Sequence, residues 1–258
     1  MSNTKTKKKL KVAIVALTSC EGEQFVMFDQ GEEFLKLTEF LELSEFKLFE
    51  EVEAEPRYFD IAFVEGGPLS KEDLERLKEI RGKSKLLIAI GSCAVLGGIP
   101  EMKNYVNKDE KIKYVYQYTK HINNVEVKPL REIVKVDYEI PGCPMDGKEF
   151  LRIVKAVRKG VFNKIPERPV CFECQTNNYK CLLLDGKPCL GPITKGGCDA
   201  VCLYGGYQCE GCRGPLDNVN LENHQKLLLK NISKRHLSHL LELYGIKDDI
   251  LENQRKEK

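Results

Sequence analysis

Lys11–Leu17 reads KVAIVAL, a run in which only the first residue is polar and Val12, Ile14 and Val15 are β-branched. Two later stretches share this character, Asp60–Val64 (DIAFV) and Lys85–Ile90 (KLLIAI). Strands that are apolar along their whole length must be covered on both faces, which a parallel sheet sandwiched between helices provides. The intervening sequence supplies such a helix. Ser70–Arg81 carries Leu74, Leu77 and Ile80 on one face and opens on Ser70, a residue type that caps helix N-termini. Val134–Ile140 (VKVDYEI) is a further predicted strand, and Asp146–Arg158 follows with Phe150, Ile153, Val154 and Val157 on one stripe. This βαβ rhythm predicts a doubly wound α/β domain.

Around Pro166–Pro169 the pattern breaks. Cysteine, glycine and proline become dense, and helical periodicity returns only near Leu221, with Leu227, Leu228, Leu229, Leu237, Leu240 and Leu241. The expected organisation is a flexible tail at 1–9, an α/β domain at 10–165, a cysteine-rich domain at 166–220, and a helical extension at 221–258. The last residues, Glu252–Lys258, form a charged tail that is expected to be disordered. The middle segment has too few large apolar residues to build its own core, so something else must hold it together.

The whole chain has 258 residues and a formal charge of +2. That near-neutral balance gives no footprint for nucleic acid or an acidic membrane. No stretch is apolar over a bilayer-spanning length, and neither a signal sequence nor a twin-Arg leader is evident, so a cytoplasmic location is expected. Eleven cysteines in such a compartment point to metal ligation or catalysis rather than disulfides.

Eight of the cysteines fall in the second unit, spaced Cys171-x2-Cys174-x6-Cys181-x7-Cys189 and Cys198-x3-Cys202-x6-Cys209-x2-Cys212. Two sets of four suit two [4Fe–4S] clusters, each of which takes four thiolates. Surrounding glycines let the backbone wrap a bulky inorganic core. The alternative is a pair of zinc sites, because C-x2-C is also a zinc-ribbon spacing. The four histidines, His121, His224, His236 and His239, are expected at the surface.

Cys20, Cys93 and Cys143 each follow a predicted strand, in VALTSC, IAIGSC and YEIPGC. In an open α/β sheet the carboxyl ends of the strands line one crevice, so three separate thiols there can meet on one cluster. A fourth ligand is then needed. Glu23, in CEGE, stands where a C-x2-C pair would place a thiolate, and Glu65 ends a strand in VEGG. Carboxylate is the harder ligand and would shift the cluster's potential. A three-thiolate cluster with an open iron, or no cluster, are the alternatives.

The combination TSC-x2-E, VEGG, GSCA, PGCP and the eight-cysteine segment resembles the small, electron-transferring subunit of [NiFe] hydrogenases. The likeness covers residues 10–215 and is greatest to the sulfhydrogenase delta and F420-non-reducing hydrogenase small-subunit type. It implies a flavodoxin-like domain whose crevice holds a proximal cluster on Cys20, Cys93 and Cys143, facing the NiFe site of a separate large subunit. It further implies a medial cluster on Cys198, Cys202, Cys209 and Cys212 and a distal one on Cys171, Cys174, Cys181 and Cys189. Electrons would leave to a flavin or iron–sulfur partner. Glu23 departs from the family, which has cysteine there. The alternatives are a relay subunit of a related complex without NiFe chemistry and a zinc-stabilised scaffold.

Overall fold

The structure is a computed structural model describing residues 9–46, 58–105, 114, 122, 124–162 and 164–248. The expected 1–9 tail (apart from Lys9), His121 and the charged end Glu252–Lys258 lie outside these residues. The predicted apolar runs are strands: β1 (Leu10–Ala16), β3 (Phe59–Glu65) and β4 (Ser84–Ile90). With β2 (Leu41–Phe46) and β5 (Tyr138–Ile140) they form a five-stranded parallel sheet in the order β2-β1-β3-β4-β5. That order is the flavodoxin-like one, with its switch point between β1 and β3.

Alternate side chains of each strand go to opposite layers. Ala13, Val15, Ala62 and Val64 join Leu77 and Ile80 of α3 (Lys71–Lys83) on one side. Val12, Ile14, Ile61 and Phe63 pack with Met27 of α1 (Gly22–Asp29) and with Phe34 and Leu37 of α2 (Glu32–Leu37) on the other. After the short α4 (Gly91–Leu96) and α5 (Gly98–Glu101) comes α6 (Gly147–Val157), whose Phe150, Ile153, Val154 and Val157 complete that second layer. The cap predicted at Ser70 is in place, and a second forms at Asp146. Ser70 Oγ accepts the Asp73 N–H at 3.1 Å and Asp73 reciprocates to the Ser70 N–H at 3.0 Å, a capping box. Asp146 caps α6 by accepting the Glu149 N–H at 2.7 Å.

The strand expected over Val134–Ile140 is shorter: the Ile133 and Val134 N–H groups close a turn on the Leu130 carbonyl, and β5 begins only after Asp137. The Asp137 carboxylate, held by Arg81 at 2.5 Å, accepts the Leu87 N–H at 2.9 Å. Neither β2 nor α1 and α2 was expected; the half-exposed alternation of LELSEF is a weaker signal than a continuous apolar run.

The cysteine-rich stretch is built from the short helices α7 (Val170–Thr176) and α8 (Val201–Tyr204) and single 3₁₀ turns. Its own apolar cluster is small, and Cys174, Cys189 and Cys209 belong to it. The helices α9 (Leu221–Leu228) and α10 (Lys234–Glu242) do not stand apart. Leu221, Leu228, Leu237, Leu240 and Leu241 share one core with the sheet and with Leu190 and Ile193 of the cysteine-rich stretch. His224 corrects the expectation of a surface histidine: it is 7% exposed, with Nε2 3.0 Å from the Cys189 carbonyl oxygen. Helical periodicity places it on the inner face of α9, and burial lowers its pKa, which keeps the ring neutral. His236 and His239 are exposed, as expected.

Candidate metal centres

Three strand ends deliver three thiols to one crevice. Cys20 follows β1 after the bridge between Thr18 and Gly67, Cys93 lies in the first turn of α4 directly after β4, and Cys143 follows β5. They act on one another. Cys93 is pushed up to about 12 by burial above all, and then by Cys143, Cys20 and Glu23. Cys143 is raised by burial and also senses Glu23 and Cys20. Thiols that are costly to ionise in the bare protein become ligands only when a cation compensates them.

The two carboxylates differ. Glu65, at the end of β3, is 1% exposed and has both oxygens engaged: Gln24 Nε2 donates to Oε1 and the Glu23 N–H to Oε2 at 3.3 Å. Glu23 is 8% exposed, and its Oε2 accepts the Met145 N–H at 2.8 Å, two residues beyond Cys143. Its Oε1 leans over Gly91, where a Cβ would stand 2.2 Å from it, so this position tolerates only glycine. Burial raises the Glu23 carboxyl to about 7, opposed by the Met145 N–H and assisted by Glu65. Burial also raises Glu65, against the hydrogen bonds from Gln24 and Glu23.

Among the eight remaining cysteines, two groups of neighbouring thiols can be described. Cys171, pushed up to about 12 by burial, senses Cys189, Cys174 and Cys181, and a side chain at Gly191 would meet Cys171 Sγ at 3.3 Å and Cys189 Sγ at 3.4 Å. Cys198, Cys202, Cys209 and Cys212 line one cavity of ≈ 60 Å³ together with Cys143, Thr194, Glu210 and Tyr244. A single water needs about 10–15 Å³, so this space suits a larger occupant, and its wall of sulfur suits soft metal. Burial raises Cys212 to about 12, and the Cys143 backbone N–H opposes the rise. On the far side, the Cys209 N–H points at Cys189 Sγ at 3.4 Å. The set Cys198–Cys212 thus touches both of the others. Among the described residues, no three His, Cys, Asp or Glu side chains close in tightly enough for a single metal ion.

Sequence reasoning passed over two side chains here. Arg213, 2% exposed, donates from Nη1 and Nη2 to Glu149 at 2.8 and 3.1 Å, and to the carbonyls of Pro141 and Gly196, each at 2.8 Å. It straps the loop before Cys143 to the loop before Cys198. Its place beside Cys212 in GCRG was the available signal. Tyr244, past the end of α10, carried none.

A flavodoxin-like sheet with thiols gathered at its switch-point edge, joined to a coreless eight-cysteine segment, defines a metal-cluster protein of the electron-transfer class. Residues 20–157 match the family described as NADH ubiquinone oxidoreductase, 20 Kd subunit. The chain is 37% identical to sulfhydrogenase 2 subunit delta of Pyrococcus furiosus, with 81% of this chain and 88% of that protein covered. It is 32% identical to a vhu subunit of the F420-non-reducing hydrogenase of Methanocaldococcus jannaschii, covering 81% and 83%. Among solved structures it resembles a chain of an NAD+-reducing [NiFe]-hydrogenase, with a TM-score of 0.56 and 26% identity over 62% of this chain and 96% of that one. The fold extends over 95% of this chain and 91% of a chain of the actinobacterial-type NiFe-hydrogenase from Ralstonia eutropha, with a TM-score of 0.59 at 15% identity. The chain belongs to the 20 Kd subunit family and, within it, to the small subunits of [NiFe] hydrogenases.

Proposed function

We propose that this chain is the electron relay of a cytoplasmic [NiFe] hydrogenase, coupling the H2-reactive site of a large subunit to a flavin or iron–sulfur partner through three iron–sulfur clusters. The supporting observation is the succession of thiol sets: Cys143 faces Cys212, and Cys209 faces Cys189, so the set Cys198–Cys212 stands between the other two. Clusters bound at these sets supply one-electron steps. Cys20, Cys93 and Cys143 would hold the proximal cluster, Cys198, Cys202, Cys209 and Cys212 the medial one, and Cys171, Cys174, Cys181 and Cys189 the distal one.

The protein's contribution is burial and positioning. Binding a cluster there displaces the thiol protons, and the flanking N–H groups tune its potential. Glu23 is better placed than Glu65 for the fourth proximal position. It adjoins Cys93 and Cys143 electrostatically and uses one oxygen on Met145, whereas Glu65 is doubly engaged by Gln24 and Glu23. Among the described residues no helix is long and apolar enough to cross a membrane, which is compatible with the cytoplasmic assignment.

Zinc is the competing occupant of the eight-cysteine stretch, since a C-x2-C pair also suits a zinc ribbon. The test is the metal and sulfide content of the complex purified anaerobically with its co-purifying subunits. About twelve irons per chain with matching sulfide and no zinc are expected. About two zincs and no sulfide would end the proposal.

A further inference from the structure

The segment that follows α10 enters the seam between the proximal and medial thiol sets. After α10, Tyr244 is 8% exposed and Ile246 is fully buried. The intervening Gly245, at φ +68°, is pressed so close to α4 and α5 that a Cβ would lie 2.5 Å from the Leu96 carbonyl oxygen and 2.1 Å from Glu101 Oε2. Ile246 is seated against Gly211, whose added Cβ would stand 1.9 Å from Ile246 Cδ1. With Leu240 and Leu241 of α10 buried before it and Gly245 and Ile246 anchored after it, the backbone of Tyr244 is held on both sides.

The ring lies at the cavity already described, which also has Cys198, Cys202, Cys209 and Cys212 in its lining. Tyr244 and Cys143 share the wall of that cavity, and the tyrosine also senses Cys212 and Glu210. A phenol keeps its proton at neutral pH and so can donate to a neighbouring thiolate. The family match ends at residue 157, far short of this segment.

We propose that Tyr244 is a positioning residue of the relay: its hydroxyl donates to the Cys143 thiolate and raises the potential of the cluster bound there, while its ring fills the gap towards the Cys212 set. This rests on the relay reading given above. A donor aimed at a ligating sulfur stabilises the more negative, reduced cluster, so removing it makes reduction harder.

The test is Y244F in the complete, iron-loaded complex, since phenylalanine keeps the ring and deletes only the donor. Redox titrations followed by EPR read each cluster separately. The proximal signal is expected at lower potential, with its reduced-to-oxidised ratio at a fixed ambient potential falling about tenfold, a change of the order a hydrogen bond to a charged group produces. The signals of the two outer clusters are expected to stay where they are. Unchanged proximal potential at full iron content overturns the assignment of Tyr244 and leaves the relay standing. A wild-type complex without iron or sulfide ends both.

Discussion

Replacing Arg213 by methionine tests whether one buried ion pair holds the loops before Cys143 and Cys198 together. The guanidinium and the Glu149 carboxylate are 1% and 3% exposed and meet at 2.8 Å. Methionine removes this pair and also the donors to the Pro141 and Gly196 carbonyls. Breaking a buried pair by deleting one partner costs about 3–5 kcal/mol, chiefly because the other charge stays behind. Arg152 Nη2, 3.4 Å from Glu149 and on a side chain 62% exposed, can take over part of the carboxylate, so the lower end of that range is expected. The double variant R213M/E149L removes the stranded charge, leaves only the two carbonyls unpaired, and should recover about half of the loss.

The assay is the anaerobic unfolding rate of the intact complex at one guanidinium concentration, read by far-UV dichroism and by cluster absorbance. A rate is preferred because metal-bound proteins seldom unfold in two states. If the pair is broken at the unfolding barrier, about 3 kcal/mol corresponds to a rate roughly a hundredfold faster in R213M, with the double variant intermediate. A single variant within about threefold of wild type, or a double variant worse than the single, would refute the reasoning.

Gly211→Ala should be among the most damaging glycine substitutions, because it combines φ +88° with a Cβ 1.9 Å from Ile246 Cδ1. A cost of about 2–4 kcal/mol from strain and overpacking is expected, seen as a lower midpoint for loss of cluster absorbance on heating, and an unchanged midpoint would refute it. In the iron-free chain Glu23 carries a pH dependence, since burial first, with Glu65 adding and Met145 opposing, lifts it from 4.5 to about 7. The folded state then retains a proton that the unfolded chain releases, so stability is full below about pH 4.5, falls through the window to about pH 7 and is lower by up to about 3 kcal/mol above it. E23Q should flatten that slope in urea midpoints measured at pH 5 and pH 8, and an identical slope in both proteins would show that another group is responsible.

Much of this molecule is legible from local pattern. The three apolar runs read as strands covered on both sides, and Ser70 announces its helix by chemistry that acts within three residues. Cys20, Cys93 and Cys143 could be brought together from sequence because each follows a strand, and parallel strands end on one edge. These are all consequences of periodicity or of short-range covalent geometry. β2 escaped because a half-exposed edge strand has only weak alternation, and β5 was overextended because the Ile133 and Val134 N–H groups close a turn on the Leu130 carbonyl instead.

The opening run, KVAIVAL, determined by itself that a buried parallel strand lies at the start of the chain, and with its two counterparts it settled the α/β class. What it could not decide depends on residues far apart in sequence. Which carboxylate adjoins the proximal thiols is decided by the Met145 N–H and by the absence of a side chain at Gly91, 122 and 68 residues away from Glu23. The burial of Arg213 against Glu149, of His224 under the Cys189 carbonyl and of Tyr244 beside Cys143 has the same origin. Each is a polar group made tolerable by a partner that only the folded chain delivers, and no local pattern encodes where that partner will come from.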